Sequence, residues 1–312
     1  MNQTTTLETV INHVHEKSLN FFDESVPVKE MAFDSAKQMW ISGQQIEVLP
    51  SAQKLFSNRL RVPYSYLSRC PDELQKNNLN YWLEQEREKR NTLFCRFDGS
   101  RLRAIFTDRY EPTDNMEVLS KMLEYGFTPH QEVRFSLDNE MLVVSVPDQT
   151  HAFNVMGKDR IVPGISIANS EVGILALTID AFFYRLVCSN GLISKTSVDA
   201  KFKHISRRGI DNFHLALENV ISQSRQGESR FQISTQTSVS NPISSIETFA
   251  RQFQLPQNEV EVVKQSFYAE EGATMFHIIN AFTRAAQTPS LPVSISHQME
   301  RIGGAILAMV KH

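Results

Sequence analysis

The chain has 312 residues, with 32 Lys and Arg against 35 Asp and Glu, a net charge of −3 and 41% hydrophobic residues. That apolar share at near-neutral charge excludes an intrinsically disordered chain, a uniformly basic nucleic-acid coat and a polyacidic tail. Three cysteines exclude a disulfide scaffold, twelve Gly and twelve Pro exclude collagen-like or low-complexity sequence, and at about 150 residues per domain the length sets a prior of about two domains.

The opening MNQTTTLETVINHVHEKSLNFF lacks the basic and apolar regions of a secretory signal. The longest apolar stretch, Gly173 to Tyr184, is interrupted by Thr178 and Asp180 and is too short for a bilayer. Cys70, Cys95 and Cys188 are far apart, which fits reduced thiols in a cytoplasmic protein.

Taken in chain order, Thr6 to Phe22 reads as a helix with Leu7, Val10 and Val14 on one face. Residues 26–50 suit short strands or loops. Ser51 can cap a helix in which Ala52, Leu55, Phe56 and Leu60 share a face, and Val62-Pro63 breaks it. Tyr64 to Arg69 gives a short second turn. Pro71 opens a longer helix, with Leu79, Trp82 and Leu83 expected on its apolar side. TLFCRF and RLRAIF flank Asp98-Gly99-Ser100 and predict a hairpin over 92–110. After Pro112, Asp114 and Glu117 match a capping box, Met116, Leu119, Met122 and Leu123 form a stripe, and Gly126 ends the helix.

Residues 131–188 are expected to be mostly strand, starting with a hairpin turned at Asp138-Asn139-Glu140, and their short links favour antiparallel pairing. A helix follows at Asn212 to Gln223. Residues 222–245 are rich in Ser, Gln and Thr and read as a polar linker. Helical periodicity then returns in four stripes that end with Met299, Ile302, Ile306 and Met309. The expected class is α+β: a central antiparallel sheet built from hairpins, flanked by helices, with a C-terminal helical region. The expected division is an N-terminal extension over 1–45, a core over 46–221, a linker over 222–245 and a helical region over 246–312.

Metal-ligand spacings are missing apart from the His13-x-His15 pair, which reads as helix surface. No phosphate-binding glycine loop is present, and Gly303-Gly304 sits in a helical pattern that suits close packing. No nucleophile elbow occurs, and Cys188 has no base beside it in sequence. No cofactor or metal is therefore expected, and a non-enzymatic role leads. Asp108, Asp114, Glu171 and Asp180 remain as the carboxylates of a dispersed acidic site, if the fold brings them together.

Two segments are strongly basic. Lys195, Lys201, Lys203, Arg207 and Arg208 face a single acid, Asp199, with Phe202 and His204 interleaved, for a net +4. Arg87 to Arg109 also carries +4, through Arg87, Lys89, Arg90, Arg96, Arg101, Arg103 and Arg109 against Glu88, Asp98 and Asp108, and Tyr110 follows. Cations beside aromatic rings suit single-stranded nucleic acid, because phosphates take charge and bases take stacking. A solvated face with local ion pairs accounts for the same pattern. Residues 52–69 have the spacing of a helix-turn-helix, but Pro63 and Pro71 leave a recognition helix of barely two turns.

Several segments together resemble the phage/plasmid-like protein family, over roughly residues 45–310. They are RVPYSYLSRCPDELQKNNLNYWL, the stretch RAIFTDRYEPTDN from Arg103 to Asn115, PGISIANSEVGILALTIDAFFYRLVCSNGLI with RLVCSNG at Arg185 to Gly191, NAFTRAAQ at Asn280 to Gln287, and ERIGG at Glu300 to Gly304. The resemblance implies a setting on mobile elements in a bacterial host, beside replication, recombination and defence genes. It carries over no catalytic residue. Asp108, Arg109, Tyr110 and Asn115 in one motif, and Asn169, Ser170, Arg185 and Asn190 in the other, are the matched polar positions.

The leading expectation is a nucleic-acid-binding protein acting on single strands in replication or recombination. Arg101, Arg103, Arg109, Lys201, Lys203, Arg207 and Arg208 would hold phosphates, Tyr110 and Phe202 would stack bases, and His204 lies among them. A homo-oligomer is compatible with this. A protein–protein scaffold or anti-host factor, and an enzyme with the dispersed acidic site, are the alternatives.

Overall fold

The computed structural model describes residues 3–157, 159–185, 190–194, 201–202, 213–224 and 227–310. Two sheets carry the architecture. The smaller sheet has the order β2-β6-β7-β5-β4-β3, from β2 (Phe21–Pro27), β3 (Met31–Phe33), β4 (Gln38–Ile41), β5 (Gln44–Val48), β6 (Thr92–Asp98) and β7 (Arg101–Phe106). Its hairpin β6-β7 is the one expected around Asp98-Gly99-Ser100. The pairing of β5 with β7 is parallel, a departure from the expected all-antiparallel sheet.

Three helices belong with this sheet: α2 (Pro50–Leu60), α3 (Tyr64–Leu67) and α4 (Asp72–Arg87). Phe33, Phe56, Leu60, Leu67, Leu79, Leu83, Leu93 and Ile105 are buried together in its core. Pro50 occupies the first turn of α2 and Leu49 the N-cap, so Ser51 does not cap; its hydroxyl instead donates to the Arg103 carbonyl at 2.7 Å. The single turn of α3 is too short to read a major groove, so there is no helix-turn-helix here.

The larger sheet has the order β1-β8-β9-β11-β12-β13, with β10 on β11 and β14 on β12. Its strands are β1 (Gln3–Thr6), β8 (Glu132–Leu137), β9 (Leu142–Pro147), β10 (Phe153–Val155), β11 (Asp159–Asn169), β12 (Leu177–Arg185), β13 (Asn190–Ser194) and β14 (Lys201–Phe202). All its pairings are antiparallel, as the short links imply. The period-two alternation sends Val133, Phe135, Val144, Ile165, Ile167 and Ile179 into one apolar core. That core also takes residues of α1 (Leu7–Ser18), α5 (Asn115–Tyr125) and α6 (Phe213–Ser224).

The expected boundaries are not those of the fold. The N-terminal segment is no extension: β1 and α1 join the large sheet and β2 to β4 build half of the small one. Residues 222–245 include α7 (Glu228–Gln236), whose Phe231 is 3% exposed and packs against Phe153 and Phe183, so this segment is not a linker. Its polar composition reflects a helix with one narrow buried line.

The C-terminal helices α8 (Pro242–Gln252), α9 (Gln257–Tyr268), α10 (Met275–Ala285) and α11 (Val293–Met309) share the large sheet's core rather than forming a separate one. No helix among the described residues is long and apolar enough to cross a membrane.

Gly164 marks a close approach inside the sheet. A Cβ there would lie 2.1 Å from the Val146 carbonyl oxygen of the neighbouring strand. Gly164→Ala is therefore expected to lower stability by about 1–3 kcal/mol, measured as a reduced urea midpoint at unchanged m-value.

Candidate nucleic-acid interface

The expected site residues divide between surface and interior. Arg101 is exposed and paired with Asp98 of its own hairpin, and Arg109 is exposed. Arg103 is a correction: it is 5% exposed, donates to Glu171 at 2.5 Å, and lies 3.4 Å over the ring of Phe21. Two residues apart on β7, Arg101 and Arg103 fall on one strand face, but Arg101 stands at the exposed start of the strand while Arg103 is covered, so its charge serves Glu171 and not a phosphate. Tyr110 is likewise a poor base platform. Its ring stacks on Phe106 at 3.7 Å, and burial pushes its phenol up to about 12. Lys203, His204, Arg207 and Arg208 lie outside the described residues. So do the side chains of Lys201, Phe202 and Asn190, whose backbones are in β14 and β13.

Of the matched polar positions, Asn115, Asn169 and Ser170 meet in a buried seam between the two sheets, while Asp108 and Arg109 are exposed. Asn169, at the end of β11, donates to the Thr113 carbonyl at 3.0 Å and to Asn115 Oδ1 at 2.9 Å. Ser170 donates to the Glu140 carbonyl at 2.6 Å and accepts from the Ile174 amide. Glu171 accepts from Arg103 and, at 2.9 Å, from the amide of Asn115 at the first turn of α5. It thereby does the capping expected of Asp114, whose carboxylate is taken up by Arg96.

Arg96 also donates to Asp23 at 2.9 Å and to the Glu171 carbonyl at 3.1 Å. Burial by itself would weaken its charge, but the carboxylates of Asp114 and Asp23 outweigh that and hold the guanidinium firmly protonated. Arg185 sits elsewhere, between Asp159 and Glu270, at 2.6 Å from each.

The acidic candidates do not form a catalytic cluster. Asp114 pairs with Arg96, Glu171 with Arg103 and Asp180 with Arg301, while exposed Asp108 accepts from Thr92. Among the described residues no group of three or more His, Cys, Asp or Glu is placed to hold a metal ion. Asp148, Thr150 and His151 do meet, but Thr150 Oγ1 and Asp148 Oδ2 both address the same ring nitrogen, His151 Nδ1. A nucleophile needs the opposite nitrogen of its base, so this is the cap of a short 3-10 turn.

The feature that sequence reading missed is a groove of about 730 Å³ where the ends of α2 and α4 meet β7. Arg59, Arg61, Lys89 and Arg90 line it with Glu86, Trp82 and Phe106. Lys89 and Arg90 belong to the first basic segment; Arg59 and Arg61 do not. The available signal was a pair of cations at the C-terminal end of each helix, which by itself reads as complementing the helix dipole. Only the packing of α2 beside α4 brings the two ends together.

A two-sheet α+β fold with a basic, aromatic-bearing groove and an arginine-carboxylate seam describes the class of molecule. The domain of unknown function DUF932 matches residues 104–294, more than half of the chain, and the chain belongs to that family. Comparison with curated proteins and with solved structures returns no match. The matched range takes in the end of β7, Asn115, Asn169, Ser170 and Glu171 of the seam, and the large sheet apart from β1; Arg96, Arg103 and most of the groove residues precede it.

Proposed function

We propose that the protein binds nucleic acid, as single strands, in the replication or recombination of a mobile element. The observation that supports this most is the groove: four cations, Arg59, Arg61, Lys89 and Arg90, face one acid, Glu86, beside an exposed Trp82. Phosphates are drawn by the charge, and the counterions they release provide the binding energy. The net −3 of the chain makes this a local site rather than a general coat. The phage and plasmid setting comes from the resemblance of RAIFTDRYEPTDN and RLVCSNG.

The test is fluorescence anisotropy of a labelled single strand across a salt series from about 50 to 200 mM. With up to four phosphate contacts, the slope of log affinity against log salt is expected to reach about −3. Lys89→Glu should weaken binding and flatten that slope. Absent binding at about 50 mM salt, or binding indifferent to salt, would overturn the reading.

A further inference from the structure

We propose that Trp82 is a base-stacking residue and Arg61 its phosphate anchor, so that the groove recognises an unpaired base carried next to a phosphate. This rests on the nucleic-acid reading above and assigns its residues.

Trp82 departs from its helix pattern. Gln75, Leu79, Leu83 and Glu86 make the buried line of α4, while Trp82, expected among them, is 44% exposed. An indole left out of the core forfeits the largest burial gain of any side chain. Among the described residues its ring neighbour is Tyr81, which meets it edge-on, with centroids 5.2 Å apart and planes at 86°. That contact steadies the indole without covering it by a second ring face. Stacking on such a face is tolerant of base identity but requires the base to be unpaired.

The groove cations are of two kinds. Glu86 holds Arg59 at 3.2 Å and Arg90 at 3.1 Å, so these two are already partly neutralised. Arg61 and Lys89 are exposed and have no ion pair among the described residues. Arg61 is unusual in a second way. It ends α2 with φ at 56°, a left-handed conformation in which its amide bonds the Ser57 carbonyl. Glycine is the residue that adopts this conformation at least cost. An arginine there carries a backbone penalty that the fold does not require and sets a cation at the groove.

The experiment uses the full chain with Trp40→Phe, which leaves Trp82 as its one tryptophan, since the sequence has two. The probes are an oligothymidylate of about 12 nucleotides, an abasic strand of the same length, and a blunt duplex. The oligothymidylate is expected to quench Trp82 emission to saturation. The abasic strand should bind about tenfold more weakly and leave the emission nearly unchanged, as should the duplex. Trp82→Leu should remove the preference for the base-bearing strand.

Arg61→Gly should weaken both strands while leaving the melting temperature unchanged or higher, which separates a binding role from a folding one. Equal affinity for base-bearing and abasic strands, or unchanged emission at saturation, would overturn the proposal and leave the nucleic-acid reading standing. Failure of every strand to bind at low salt would overturn both. Quenching of Trp82 by self-association without any strand, followed by light scattering, would assign the face to a second copy of the chain and overturn the proposal.

Discussion

Glu171→Ala is expected to cost about 3–5 kcal/mol, the range for removing one partner of a buried ion pair. Glu171 and Arg103 are 6% and 5% exposed, and Arg103 Nη1 already has no hydrogen-bond partner. Without the carboxylate, the guanidinium loses its hydrogen-bonded ion pair and keeps its contact with the ring of Phe21 and the more distant charge of Asp23. The same substitution removes the acceptor for the Asn115 amide at the start of α5. Glu171→Gln should cost less, because the amide oxygen can still accept from Asn115. Arg101→Ala, two residues from Arg103 but exposed, should stay within about 1 kcal/mol. Urea denaturation of the three variants checks the order. Equal losses for Glu171→Ala and Arg101→Ala would show that the seam does not hold the sheets together.

The second large effect is on pH. His297, on α11, is 5% exposed, neither ring nitrogen has a hydrogen-bond partner, and burial, with Arg301 nearby, pushes its pKa down to about 3. The unfolded chain takes up this proton near pH 6.5 and the folded chain refuses it until about pH 3. The stabilisation is therefore complete above about pH 6.5 and is lost as pH falls through that window, with an upper bound on the order of 5 kcal/mol. Melting temperatures from pH 8 down to about pH 4 should fall for the natural chain and fall less for His297→Met. Comparing the two cancels the acid response of other groups. A folded-state imidazole signal that titrates near its ordinary pKa would contradict the assignment.

His297 belongs to a polar layer that pattern reading had no means to find. Arg134, Ser145, Ser166 and Asp180 stand opposite one another across β8, β9, β11 and β12. Gln287 at the end of α10 accepts from Arg134 at 3.1 Å, and Arg301 of α11 donates to Asp180 at 2.5 Å. The large sheet thus has one apolar face and one buried face on which these polar residues alternate with apolar ones such as Val143, Ala168 and Phe182. Along any one strand, a polar residue at every second place looks like a solvated face. Burial here comes from helices more than a hundred residues further along the chain.

By itself the sequence determined the α+β class, the hairpins at Asp98-Gly99-Ser100 and Asp138-Asn139-Glu140, and the C-terminal helices with their buried stripes. These rest on turn chemistry and on periods of 2 and 3.6, which are local properties. The tertiary structure decided what is not local. It turned Arg103 inward and Trp82 outward, passed the capping of α5 from Asp114 to Glu171, and packed the polar 222–245 segment through Phe231. It also brought Arg59 and Arg61 beside Lys89 and Arg90. Each of these depends on which elements meet, and a charge or an indole has no fixed role until its neighbours set its solvation and its partner.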